Sequence, residues 1–165
     1  MNLRYMGFKN NFDVIYSRGI AYVKFLGNWG IEDAMEYKRF TELLKKKENP
    51  DSTLHWIGLV DQSQLNTIED DAMDIVTQVR KNSYEKGCLH TLYYRGDNDF
   101  SFPLFYLRSV STNERLNGIC TFENTTEGVL KKLNRLKNRY KEYEIDYDEN
   151  FVRDFLYGSS LEDLL

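Results

Sequence analysis

This sequence has little of what chemistry usually needs. It holds two cysteines, Cys88 and Cys120, and two histidines, His55 and His90, in 165 residues. Two isolated cysteines make neither a metal pattern nor a disulfide framework. Both read as reduced, small apolar residues of a cytoplasmic protein. There is no Gly-x-Ser-x-Gly elbow, no glycine-rich phosphate loop and no dinucleotide fingerprint. No apolar run is long enough to span a bilayer, and Met1 to Asn11 lacks the apolar centre of a secretory signal. A net charge of −4 offers no global field to draw in nucleic acid or an anionic membrane. The expectations are therefore no enzyme, no metal, no cofactor, no nucleic acid and no membrane.

What is present is ordinary in amount. Hydrophobic residues make up 41% and charged residues 29% of the chain, as in a globular protein with a real core. The aromatic share, 15%, is high; twelve tyrosines carry much of it, and some should lie at the surface.

The order of elements is the informative feature. Phe12–Ser17 and Ile20–Leu26 are rich in β-branched and aromatic residues, and the link at Arg18-Gly19 predicts a hairpin. Gly27 to Gly30 should end the second strand, with Asn28 capping a helix. Ile31, Ala34, Met35, Tyr37, Phe40, Leu43 and Leu44 recur at helical spacing up to Lys47, before Asn49-Pro50. His55–Val60 is nearly all apolar, as a strand buried on both faces should be, and Asp61 is expected to end it. Gln62 to Asn66 then read as a loop. Asn66 or Thr67 should cap the next helix, with Glu69, Asp70 and Asp71 in its first turn, where the helix dipole favours acids. Ala72, Ile75, Val76 and Val79 form its core face, and Gly87 ends it. A strand at His90–Tyr94, a loop at Arg95–Asp99 and a helix from Pro103 follow. Ile119–Phe122 is the last strand. Asn124 with Glu127 reads as a capping box for a helix bearing Val129, Leu130, Leu133 and Leu136.

Two strands followed by repeated helix–strand units predict an α/β fold. The expectation is a single mostly parallel or mixed sheet of about five strands with crossover helices, in the order ββαβαβαβα, with His55–Val60 central. Here a resemblance becomes specific. The hairpin ending in Phe25-Leu26-Gly27, the strand end Leu59-Val60-Asp61, and Cys120-Thr121-Phe122-Glu123 leading into Thr126-Glu127-Gly128-Val129-Leu130 resemble the STAS family (sulfate transporter and anti-sigma-factor antagonist). The likeness covers about residues 12 to 140, on element order and weak motifs. It resembles the stand-alone bacterial STAS-like proteins more than the transporter-linked ones. The resemblance implies a domain that works by contact with regulatory proteins. In that family a serine of an Asp-Ser-Ser-Gly motif at the start of the second helix is phosphorylated. This chain departs from the motif: Asn66-Thr67-Ile68-Glu69-Asp70-Asp71-Ala72 has no Ser-Gly pair, and acidic residues stand near that position.

The candidate interaction or ligand surface is Asp61, Ser63, Thr67, Glu69, Asp70, Asp97 and Asp99, gathered where loops follow strands. Ser63 and Thr67 are the candidate phosphosites. Asp61, Asp97 and Asp99 are acceptable oxygen donors for a divalent cation, but Asp after a strand is also an everyday loop residue. His55 and His90 sit at strand beginnings and read as structural. Asp61→Asn should leave the fold intact.

Past residue 141 the chain changes character. Lys131, Lys132, Arg135, Lys137, Arg139 and Lys141 give way to Glu142, Glu144, Asp146, Asp148, Glu149 and Asp154. Phe151, Val152, Phe155, Leu156, Leu161 and Leu164 are too apolar for a solvated linker. The division expected is 1–141, a STAS-like domain, and 142–165, an acidic and apolar extension packed on the domain or on a second subunit. The function expected is regulatory or scaffolding, by protein–protein interaction, with a protein partner and a homodimer in view. The alternative is a binding module for a small apolar, lipid-like ligand or an anionic or nucleotide ligand.

Overall fold

The computed structural model describes residues 3–6, 11–51, 53–97 and 119–157. The helix expected from Pro103, the carboxylate of Asp99 and the residues after Tyr157 lie outside them.

Six strands form one mixed sheet in chain order. They are β1 (Leu3–Met6), β2 (Phe12–Ser17), β3 (Ile20–Trp29), β4 (Trp56–Ile68), β5 (Cys88–Tyr94) and β6 (Cys120–Glu123). β1 and β2, and β2 and β3, run antiparallel; β3 to β6 are parallel neighbours. The fold is the α/β class that the element order predicts, with β4 interior. One strand more than the expected five is present, because the short β1 adds to the free edge of β2.

The hairpin turn uses two positive-φ residues, Arg18 at 52° and Gly19 at 81°. Two such residues match the twist of the flanking strands. A side chain at Gly19 would also meet Ile145, 3.1 Å away.

Four element boundaries correct the sequence reading. β4 does not stop at Asp61; it runs to Ile68, paired with β3 out to Trp29. The loop expected at Gln62–Asn66 is therefore strand. Register shifts between Lys24 and Leu26 and between Gly27 and Asn28 each put an extra residue into β4. Such bulges break the alternation that a strand normally shows in sequence. The second correction concerns α1 (Ile31–Glu48). Its cap position is Gly30, whose N–H donates to the Asp33 carboxylate at 2.8 Å, while Asn28 stays in β3. The third concerns α2 (Asp70–Lys86), whose cap position is Glu69 rather than Asn66 or Thr67. Likewise Thr125, not Asn124, caps α3 (Thr126–Arg139); its hydroxyl accepts from Gly128 N at 3.0 Å.

The sheet is covered on both faces. On one, α1 and α2 close over Phe12, Val14, Val23, Phe25, Val60 and Tyr93. Phe12, Phe25, Trp29 and Tyr37 stack there with ring centroids 4.6–6.1 Å apart. That cluster absorbs part of the high aromatic content. On the other face, α3 and α4 (Glu149–Tyr157) cover Ile15, Ile20, Tyr22, Ile57, Leu59 and Leu92. Val152, Phe155 and Leu156 of α4 are buried in that layer. The charge change along the chain is partly satisfied at this join. Lys137 binds Asp146 at 2.6 Å, whereas Arg153 of α4 reaches back to Glu127 of α3 at 2.6 Å.

Candidate functional site

The carboxyl half of β4 carries Asp61, Ser63 and Thr67, and the structure sorts the described candidates into two groups.

The first group centres on Asp61. Residues 20, 22 and 24 of β3 share one face of the sheet by strand alternation, and so do 57, 59 and 61 of β4. Lys24 and Asp61 are register partners, and Asp13 of β2 lies opposite Lys24 on its other side. Lys24 Nζ donates to Asp61 Oδ2 at 2.8 Å, with the side chains 1% and 2% exposed. Asp61 Oδ1 accepts from Ser63 N at 2.8 Å. The Phe155 ring of α4 covers the ammonium, its centroid 4.7 Å from Nζ. A pair so enclosed has given up its hydration, and each charge depends on the other.

Two readings of Asp61 change as a result. It is not a strand-end carboxylate facing solvent but an interior one, engaged by a cation. Asp61→Asn is also no neutral probe, because it removes a charged partner from a buried ammonium. Among the described residues no group of three His, Cys, Asp or Glu side chains could hold a metal ion.

Ser63 and Asp97 adjoin this centre. A methyl placed on Gly96 would lie 3.3 Å from Ser63 Cβ, so the turn after β5 packs against Ser63. Burial first, then the Asp61 and Asp97 carboxylates, push the Tyr94 phenol above its ordinary value, while a hydrogen bond with Thr126 opposes them. Asp97 itself is exposed.

The second group lies further along β4, at the mouth of α2. Thr67 is exposed, and its hydroxyl donates to Asn28 Oδ1 at 2.8 Å. Glu69 N donates to Trp29 O at 2.9 Å, tying the cap of α2 to the end of β3. The Glu69 carboxylate lies beside Gly30: a methyl there would sit 3.3 Å from its Oε2. Glu69, Asp70 and Asp71 are all exposed. Next to them, α1 begins with Ile31, 47% exposed, and one turn later Met35, 38% exposed. Thr67 is the more accessible hydroxyl, since Ser63 is half-buried between β4 and the turn after β5.

His90 and Cys88 lie in the interior, and Cys120 is half-buried. His90 is fully buried, and its Nε2 lies 2.9 Å from Thr121 Oγ1. Burial first, then Lys132 and Arg139, lower its pKa to about 4, so the ring is neutral near pH 7. Burial raises the thiols of Cys88 and Cys120 to about 11, which leaves neither as a thiolate nucleophile. The residue that sequence reasoning missed is Lys24. Its signal was present: a lysine between Val23 and Phe25, on the same side of a strand as Ile20 and Tyr22.

No family model and no curated protein matches this chain. Solved structures do. The chain is similar to the anti-sigma factor antagonist SpoIIAA in its unphosphorylated form, at a TM-score of 0.49 and 7% identity, over 81% of this chain and 98% of that one. It is also similar to an uncharacterised DUF3478-family protein with a SpoIIAA-like fold from Shewanella loihica PV-4, at a TM-score of 0.51 and 16% identity, over 81% and 95%. The fold is SpoIIAA-like. That agrees with the STAS-like element order read from the sequence. At this identity the likeness extends to the fold alone.

Proposed function

We propose that this chain is a non-catalytic regulatory or scaffold domain that works by protein–protein contact in the cytoplasm. The contact surface is the end of the molecule where α1 and α2 begin: Ile31, Met35, Thr67, Glu69 and Asp70. Residues 142–165 serve as an extension of the 1–141 domain. The observation that carries this reading is the exposed apolar pair Ile31 and Met35 beside the exposed acidic turn Glu69–Asp71. Large apolar side chains held in water at a helix start, rimmed by charge of one sign, have the composition of a small interface. The partner should present an apolar knob or pocket rimmed by lysine or arginine. Asp61 does not belong to this surface, because Lys24 holds it inside.

The test is affinity capture from the source cell with the wild type and with the double variant Ile31→Ser, Glu69→Lys, followed by titration of the purified partner. The partner should bind the wild type, lose at least tenfold in affinity for the variant, and weaken with added salt. Equal affinity for both proteins, with the variant folded, would remove this surface from the function.

A further inference from the structure

A second feature lies on the opposite end of the α1/α2 face. Between these helices and the sheet is a cavity of about 390 Å³. Protein interiors rarely leave such a space, because side chains lining a void lose their packing partners. Its origin is in the register. Ala21, Gly58 and Thr91 are paired neighbours on β3, β4 and β5, and all three line the cavity. One row along the same face, Val23, Val60 and Tyr93 are paired in the same way, and their larger side chains form an adjoining wall of the cavity. The larger side chains around this row hold the helices off the sheet, and the small residues leave the space beneath them unfilled. Gly58 is the lowest point: a methyl built there would find only Thr91, 3.7 Å away.

The lining is apolar and aromatic except on one wall. Arg80 of α2 is 5% exposed, and its guanidinium lies 5.0 Å from the centroid of the Tyr93 ring. One turn on, Ser83 accepts from Lys45 Nζ at 3.2 Å. Arg80, Ser83 and Lys45 all line the cavity, and Glu48 is the carboxylate among the lining residues. Among the described residues, two cations against one acid make this wall positive. The rim is fixed by Asn49, whose side-chain amide donates to Leu54 O and Lys86 O at 3.3 Å and whose Oδ1 accepts from Leu54 N at 2.9 Å. Trp56 stands among the lining residues near that rim.

We propose that this cavity binds an amphipathic organic anion, a linear aliphatic carboxylate, with its chain over Ala21 and Gly58 and its carboxylate at Arg80 and Lys45. A preformed apolar space with a few convergent polar groups is the usual form of a small-molecule site. A guanidinium matches a carboxylate with two parallel hydrogen bonds. The proposal is independent of the protein-contact surface, which lies where α1 and α2 begin.

The test uses the purified full chain and sodium dodecanoate below its micelle concentration, followed by calorimetry and by tryptophan fluorescence. Dodecan-1-ol supplies the chain without the charge, and acetate supplies the charge without the chain. Dodecanoate should saturate a single site and bind at least tenfold more tightly than either control. Arg80→Gln should lose at least tenfold for dodecanoate and little for the alcohol. Gly58→Leu should abolish binding with an unchanged circular dichroism spectrum. If Arg80→Gln fails to fold, Gly58→Leu and the two controls decide. No saturable binding to the wild type would overturn the proposal. So would equal binding of the alcohol, or full binding by folded Gly58→Leu.

Discussion

The two faces of this sheet solve the same burial problem differently. Under α3 and α4, aliphatic side chains from the strands meet Val129, Leu133, Leu136, Val152 and Phe155 in close contact, and polar side chains pair among them: Lys24 with Asp61, and His90 Nε2 with Thr121 Oγ1. Under α1 and α2, large rings pack together, and the small row Ala21, Gly58, Thr91 leaves a space beside them. The difference is set by alternate residues of the same strands. Gly58 and Leu59 are adjacent in sequence and face opposite layers. One layer spends its side chains on cohesion; the other leaves a volume that a second molecule can fill.

The sharpest way to break the α3/α4 side is to separate its ion pair. Lys24→Met should cost about 3–5 kcal/mol, because it leaves the Asp61 carboxylate buried without its cation. Lys24→Met combined with Asp61→Leu should recover most of that loss, since an apolar pair of similar volume carries no desolvation penalty. Urea unfolding of the two single variants and the double variant closes the cycle. Additive losses would mean that the two groups do not act as a pair. Leu59→Ala comes next, at about 2–5 kcal/mol, for a residue with no exposure on the packed face. A cost below 1 kcal/mol would show that this layer collapses around the deletion.

Much of this contrast could be read from the sequence, and the exceptions have physical causes. The strands β2 to β6, the helices α1 to α3 and the central place of His55–Val60 followed from period and composition, whereas the short β1 did not. The second half of β4 did not, because Gln62-Ser63-Gln64 and Asn66-Thr67 look like a loop and two bulges remove their alternation. Ending β4 at Asp61 moves the expected cap of α2 back to Asn66 or Thr67 and puts the Asp61 carboxylate at a strand end. Lys24 was legible by its position on an inward face. Arg80 was legible too, four residues past Val76 on the core stripe of α2. The cavity was not, since it depends on the register that brings Ala21, Gly58 and Thr91 into one row, and register is a property of three strands at once.

A change of pH should distinguish the faces next. His90 faces α3, with Lys132 and Arg139 nearby, and its folded pKa is about 4 against an ordinary 6.5. Between those values the unfolded chain takes up a proton that the folded chain refuses. Stability is therefore unaffected by His90 above pH 7 and falls as pH drops from about 6.5 toward 4, by about 1.4 kcal/mol per pH unit and roughly 3 kcal/mol in all. His90→Gln should remove that slope, leaving only the contribution of the carboxylates. Parallel pH curves for wild type and His90→Gln would show that the ring is hydrated in the folded state.

The smallest effect should carry the opposite sign. Gly58→Ala adds one methyl to the floor of the cavity, with Thr91 at an ordinary 3.7 Å and no positive φ to strain. It lowers the conformational freedom of the unfolded chain and fills empty space, so it should stabilise by about 0.4–1 kcal/mol. Leu59→Ala, one residue away, removes side-chain atoms from a packed layer and should destabilise. Measured together by urea unfolding, the adjacent pair gives two shifts of opposite sign if the faces differ as described. A destabilising Gly58→Ala would mean that the helices already rest on the strand at this point, and the space above Ala21 and Gly58 would not be open to a ligand.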